Sequence, residues 1–410
     1  MSGAPICIVG AGPAGASAAL KLAYYGISCV LIDKATFPRD KVCGDAISGK
    51  VTTLLNRLDP TIIQRFEGEP IKVPIWGIQF FAPNGVPMEI PFVPLPGTDL
   101  PGAPGYVSKR LDFDHFMIKE IARCAAVQLR LGVAVTGYER TALGWRVSLA
   151  SGEVLDTPLL LVADGAHSHF SRHIAGLPMD KKHHAGAVRA YYRGVQGMDS
   201  RGFIELHFLK ELTPGYFWIF PLPDGQANVG LGMRSDYIAR RRVNLRKAFD
   251  EVIRHHPVLS KRFVQAERLS AVQGYGLPLG SGRYRISGDH YMLLGDAAHL
   301  VDPLTGEGIG NGFYSGFIAA DQTKACLEAN KFSADFMRAY DLRIDRVLGG
   351  ELRLSYQMQR LARYPFLVNI IARIIHRNQG VVDAISRMYT DFEYRKQLIN
   401  PFFWLRQMWK

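Results

Sequence analysis

The hydrophobic pattern of the chain opens with a strand, a break and an amphipathic run. Residues 6–9 are continuously apolar and read as a short β-strand. Residues 14–25 are rich in Ala and Leu at helical spacing, and Gly26 stands where a helix C′ glycine belongs. Residues 28–32 repeat the apolar strand pattern and end on Asp33, which makes a βαβ start. Residues 35–55 read as a loop running into a helix. Residues 70–105 are rich in Pro and Gly and carry short apolar pieces, an excursion of strands and loops. Residues 109–130 return to a helix, with Phe113, Phe116, Ile121 and Ala125 at helical spacing. Strands follow at 133–138, 145–149 and 159–162. The pattern then changes to consecutive strands at 187–195, 203–209, 216–222 and 227–233, a candidate antiparallel sheet inserted between the flanking segments. A helix is predicted at 239–255, a strand at 291–294 and a helix at 310–329. Residues 333–410 are mostly helical.

Composition narrows the class. The chain has 410 residues and is 48% hydrophobic, ample for a core with more than one subdomain. No apolar run reaches the roughly 18 residues a membrane-spanning helix needs. The N-terminus runs into its first strand without a basic region or a signal-like apolar core. The five cysteines are scattered, odd in number and without a CxxC pair, which argues against a disulfide framework or a zinc site and for a reducing, cytoplasmic setting. The net charge of +12 is spread out, with local density at Arg240-Arg241-Arg242 and in the last third. It suits a basic solvated surface, an acidic substrate or an anionic membrane face. No nucleic-acid motif accompanies it.

Three segments carry chemistry. Gly10-Ala11-Gly12-Pro13-Ala14-Gly15 lies between strand and helix, with Asp33 about 20 residues on. Gly10 permits the tight turn, Gly12 lets the backbone approach a pyrophosphate, and Gly15 lets the helix pack on the strand. The helix N-terminus attracts phosphate, and Asp33 is placed to accept from ribose hydroxyls. Asp164-Gly165 follows the apolar strand at 159–162. Leu294-Gly295-Asp296-Ala297-Ala298-His299 follows another and leads into Gly306-Glu307-Gly308-Ile309-Gly310 at a helix start. His299 and Glu307 have either catalytic or loop-structural roles.

In this order, GxGxxG, then Asp164-Gly165-Ala166-His167-Ser168 with Arg172, then Gly295-Asp296-Ala297-Ala298-His299 resemble the p-hydroxybenzoate-hydroxylase-like flavoprotein superfamily. The usual pattern spaces the serine and arginine one residue closer than Ser168 and Arg172. The resemblance implies FAD as cofactor, held by Gly10, Gly12, Pro13, Ala14, Gly15, Asp33, Lys34, Asp164 and Gly165. Arg110 looks like the family arginine that touches FAD, and Ala134 falls where a backbone contact to adenine lies. Asp296 would bond the ribityl chain or pyrophosphate through water. Gly308 and Ile309 would present N–H groups to the flavin pyrimidine end, where positive charge favours reduced flavin.

Two further segments resemble geranylgeranyl reductases: Tyr216-Phe217-Trp218-Ile219-Phe220-Pro221, and Lys41-Val42-Cys43-Gly44-Asp45, which looks like the segment bordering the flavin. This adds Val42, Cys43, Gly44 and Asp45 to the cofactor set, with Cys43 a candidate proton donor or packing group. On a strand, Tyr216, Trp218 and Phe220 share one face, either a wall for a long apolar chain or an ordinary core face. Phe217, Ile219 and Pro221 face the other way. The implied architecture is α/β (α+β overall), a Rossmann-like FAD-binding domain with an inserted antiparallel-sheet substrate domain and a C-terminal helical region. FAD-binding parts are expected at 1–72, 105–180 and 276–330, the β excursion at 73–104, the substrate sheet at 181–275 and the helical region at 331–410.

The implied reaction saturates C=C bonds of a polyprenyl chain on an isoprenoid lipid or prenylated quinone, with NAD(P)H or ferredoxin as electron donor. A flavin monooxygenase and, with less support, a halogenase compete with this reading. So does a membrane-docked electron carrier without a tunnel. The aliphatic and basic residues 364–377 and the aromatic and basic residues 401–410 suit either peripheral membrane contact or docking on the protein body.

Overall fold

The computed structural model describes residues 5–92, 102–378, 380–383 and 386. A six-stranded sheet organises the first layer, in the order Ser287–Gly288, Tyr291–Leu293, Leu160–Val162, Ile6–Val9, Cys29–Asp33, Val127–Leu131. All its pairings are parallel except the Ser287–Gly288 edge. The parallel strands are apolar runs because helices cover them, as parallel sheets require. Helix Pro13–Tyr24 lies against helix Ile309–Ala329, so two segments far apart in sequence form one helical layer. The mixed α/β architecture expected from the sequence is the one observed.

Three expected elements differ. The helix expected at 109–130 stops at Ala122, and residues 127–131 form the edge strand beside Cys29–Asp33. Val127, Leu129 and Leu131 alternate with Gln128 and Arg130, a period of two that a helical reading overran. The single helix at 239–255 is two, Ser235–Arg241 and Leu245–His255. Asn244 starts the second by accepting from Arg246 N and Lys247 N, and Arg242 takes φ +53° at the break. After Gly49–Leu58, a further helix Pro60–Glu67 is capped by Asp59 with Pro60 in its first turn.

The second layer is an eight-stranded sheet. Its main path runs Glu267–Arg268, His184–Arg193, Gln226–Arg234, Tyr216–Leu222, Phe203–His207, Gly77–Phe81, Pro87–Pro91, and Gln273–Pro278 also pairs with His184–Arg193. Gly77–Phe81 joins Phe203–His207 in parallel, the one departure from an antiparallel sheet. One face packs on helix Leu245–His255 through Phe217, Ile219, Val229 and Phe249. The other face carries Trp218, Phe220, Ile204 and Leu206.

The C-terminal region is helical as far as it is described: Ala334–Ile344, Gly350–Ala362 and Pro365–Arg377. Val368, Ala372 and Ile375 of the last helix pack on Met88 and Phe208 at the end of the large sheet. The aromatic and basic residues 401–410 lie outside the described residues. No helix among the described residues is long and apolar enough to cross a membrane.

Candidate active site

A cavity of about 2040 Å³ runs between the two layers. At one end the glycine loop follows strand Ile6–Val9. Gly10 has φ +102°, and a Cβ there would lie 2.2 Å from Ala163 O, so the loop crosses the neighbouring strand end only as glycine. Gly15 does not line the cavity; a Cβ on it would lie 1.9 Å from Gly10 O, which is its packing role. Asp33 clamps the loop, with Oδ2 accepting from Ala11 N and Oδ1 from Ala35 N, both at 2.8 Å. Lys34, Ala134, Asp164 and Gly165 line the same groove, and the Ala134 carbonyl accepts from Ala150 N. Burial pushes the Asp164 carboxyl up to about 6, and its Oδ1 is buried without a protein partner. Ser168 caps the short helix after it, and Arg172 Nη2 donates to Ala166 O, so both residues brace this turn.

Two arginines face the glycine loop. A Cβ on Gly12 would lie 3.8 Å from Arg39 Nη2 and 3.9 Å from Arg110 Nη2. Asp114 holds both arginines, at 2.8 Å from Arg39 Nη1 and 2.6 Å from Arg110 Nη2. Two guanidiniums opposite a helix N-terminus over an empty Cβ position are a donor set for a dianionic diphosphate. Sequence reasoning missed Arg39 and Asp114; the acid four residues after Arg110 on a predicted helix was the available signal. Asp296 stands at the third strand end, 3.4 Å from Lys41 Nζ, and a Cβ on Gly308 would lie 3.1 Å from its Oδ1. Gly308 caps helix Ile309–Ala329, whose first residue is Ile309. These residues fit FAD: a diphosphate cradle, ribose-side carboxylates and a second helix N-terminus at the far end.

The segment Val42-Cys43-Gly44-Asp45 closes the middle of the cavity. Asp45 is fully buried at φ +67° and accepts from Tyr191 Oη and Asn228 Nδ2, both at 2.8 Å. Asn228 Nδ2 also donates to Cys43 O at 2.7 Å, and Asn228 Oδ1 accepts from Trp218 Nε1 at 2.9 Å. One amide therefore joins the loop to the aromatic strand. Asn228 and Tyr191 had no role in the sequence reading, since only the sheet register brings them under the loop. The Cys43 thiol lines the cavity and interacts with the Arg110 guanidinium.

The strand alternation holds. Trp218 and Phe220 face the cavity with Tyr216, while Phe217 and Ile219 pack into the opposite core. The rings are spaced 6.1 Å (Tyr216 to Trp218) and 6.2 Å (Trp218 to Phe220). The Trp218 indole lies over Gly230, where a Cβ would come within 2.2 Å of Cζ2. Gly44 meets this wall, with a Cβ position 3.3 Å from Phe220. Beyond it the cavity is lined by Phe80, Met88, Ile90, Ile204, Leu206 and Phe208, then by Val368, Ile371 and Ile375. Glu307 lines the cavity; His299 does not, and its ring stacks edge-on against Tyr284 with burial pushing it down to about 4.

Comparison with known proteins agrees with this geometry. An FAD-binding-domain family profile matches residues 3–192. The chain is 32% identical over 326 residues to a menaquinone reductase of Mycobacterium tuberculosis, covering 78% of this chain and 76% of that protein. It is 29% identical over 341 residues to a digeranylgeranylglycerophospholipid reductase of Thermoplasma acidophilum, covering 82% of each. The crystal structure of a geranylgeranyl bacteriochlorophyll reductase-like protein from the same organism superposes with a TM-score of 0.77 at 24% identity, covering 91% of each chain, and shares its fold. The cofactor is FAD, the protein is an FAD-dependent oxidoreductase, and the chain belongs to the geranylgeranyl reductase family.

Proposed function

We propose that this enzyme saturates C=C bonds of a polyprenyl chain carried on a lipid or quinone. The observation that carries the reading is the continuity of one cavity. It runs from the glycine loop, past Cys43 and Gly44, along Trp218 and Phe220, into an apolar branch that ends under the C-terminal helices. A hydrocarbon chain in that branch lies against Trp218, Phe220, Ile204 and Leu206, and its burial there supplies roughly 0.8 kcal/mol per methylene. The menaquinone and digeranylgeranylglycerophospholipid named for the relatives both fit such a chain.

FAD, when bound and reduced, supplies hydride. The chain's own residues do the rest. Arg39, Arg110 and the Gly12 backbone would hold the diphosphate, Asp33 and Asp164 the ribose side, and Asp296, Gly308 and Ile309 the flavin end. Tyr216, Trp218 and Phe220 position the alkene and exclude water. NAD(P)H or ferredoxin supplies the electrons. Helix Pro365–Arg377 both lines the cavity and exposes Phe366 and Ile370 beside Arg363 and Arg373, which supports peripheral contact with a membrane surface.

The test is anaerobic incubation of the reduced enzyme with geranylgeranylated lipids and with menaquinones, read by mass spectrometry. The expected outcome is a gain of two hydrogens per reduced bond. No gain on any prenyl lipid, with an oxygenated product formed in air, would replace this reading with the monooxygenase.

A further inference from the structure

Beside the aromatic wall, the cavity lining holds a buried cation between two carboxylates. Lys50 is 7% exposed. Its Nζ lies 2.7 Å from Asn311 Oδ1, 2.9 Å from Glu351 Oε1 and 3.2 Å from Glu307 Oε2. Asn311 Nδ2 donates to Leu300 O at 2.8 Å, which turns the amide oxygen toward the ammonium. Ser48 Oγ donates to the other oxygen of Glu307. Ser48, Lys50, Glu307 and Glu351 all line the cavity. The Glu307 and Glu351 side chains are 19% and 21% exposed against 6% for Lys50, so the ammonium is the buried centre of the cluster and joins the Glu307 loop to the outer helix Gly350–Ala362. Asp302 faces the cluster as well; burial and then the Glu351 charge raise its carboxyl, and it accepts from Thr305 N and Oγ1.

Glu307 also belongs to the loop that the aromatic wall touches. Tyr216 Oη donates to Thr305 O, and a Cβ on Gly306 would lie 3.2 Å from that hydroxyl. The loop is gripped by Tyr216 on one side and by Ser48 and Lys50 on the other. An ion cluster buried beside an aromatic wall is costly and contributes little stability for that cost. Saturating an alkene, however, needs a proton delivered inside a branch that excludes water.

We propose that Glu307 donates the proton to the alkene and that Lys50 and Glu351 return one to it, an assignment that rests on the prenyl-saturation reading. The ammonium of Lys50 passes a proton to Glu307 Oε2, 3.2 Å away. The π bond breaks as one alkene carbon takes the Glu307 proton and its neighbour takes hydride from reduced FAD. Two C–H bonds form, the flavin loses two electrons, and Glu351 hands a solvent proton to Lys50. Glu307 is the catalytic residue; Lys50 and Glu351 are the supply.

The experiment uses the FAD-loaded full chain, reduced by dithionite without oxygen and mixed with a geranylgeranyl lipid in H2O and in D2O. Flavin reoxidation and product mass are followed together. Glu307→Gln preserves size, and its FAD content and visible spectrum report the fold. Its single-turnover saturation is expected to fall about a hundredfold or more, as for loss of a general acid. Glu351→Gln is expected to keep the first turnover and to slow later ones, with a larger solvent isotope effect than the unaltered enzyme. Saturation by Glu307→Gln at the unaltered rate and isotope effect would overturn the assignment while leaving the reaction standing. If Glu307→Gln loses FAD, an unchanged isotope effect in Glu351→Gln overturns it instead. An unaltered enzyme that saturates no prenyl chain overturns both the reaction and the donor.

Discussion

At the scale of single residues, the site depends on buried polar groups with several partners each. Asp45 accepts from Tyr191, Asn228 and Arg110 N and lies near the guanidiniums of Arg110 and Arg189. Burial nevertheless pushes its carboxyl up to about 6 from 3.8. A carboxyl raised in the native state binds its proton more tightly there than in the unfolded chain. Its contribution is fully present below pH 3.8 and is lost as pH rises through 6, about 3 kcal/mol at 1.36 kcal/mol per unit. Asn tolerates the positive φ of this position. Asp45→Asn is therefore expected to remove that slope: the stability gap between variant and unaltered protein, measured by denaturant unfolding, changes between pH 4 and pH 6. A gap constant over that range would mean Asp45 ionises as freely as in the unfolded chain.

At the scale of elements, the two helices that point at the cofactor meet through small residues. A Cβ on Gly316 would lie 2.2 Å from Ser17 Oγ and 2.4 Å from Ala14 O, and one on Gly312 lies 3.5 Å from Ala14 Cβ. Ser315 Oγ accepts from Gly295 N and ties the same helix to the third strand end. Close approach sets both helix N-termini on one cavity. Gly316→Ala is expected to cost about 1–3 kcal/mol through overpacking and to loosen FAD. Gly350→Ala, where nothing lies within 4 Å, is expected to gain roughly 0.5–1 kcal/mol from helix propensity. Thermal unfolding and flavin retention compare the two; equal effects would show that the helix contact does not depend on glycine.

At the scale of the whole molecule, the C-terminal helices decide how deep the cavity is. Ala362, with Val368 and Ile375, closes the apolar branch against Met88 and Phe208. Ala362→Trp is expected to shorten the branch. Dithionite reduction of the flavin stays as it is, while four-isoprene substrates lose saturation and two-isoprene substrates keep it, read as product masses across a length series. A uniform effect on all lengths would place the hydrocarbon elsewhere.

The glycine loop, the three strand ends and the aromatic alternation at 216–221 were legible in the sequence, because each is a local pattern whose geometry follows from backbone periodicity and glycine sterics. They were enough for the cofactor and the family. The edge strand 127–131 and the break at Arg242 were not, since short apolar runs fit two periods and caps compete with helical spacing. Asn228 under Cys43, Asp114 between two arginines, and Lys50 between Glu307 and Glu351 exist only through pairings that span up to about 300 residues. The sequence by itself determined that the chain carries FAD and which family it resembles. The tertiary structure alone decided which side chains share the cavity, because sheet register and helix packing, not sequence distance, set who meets whom.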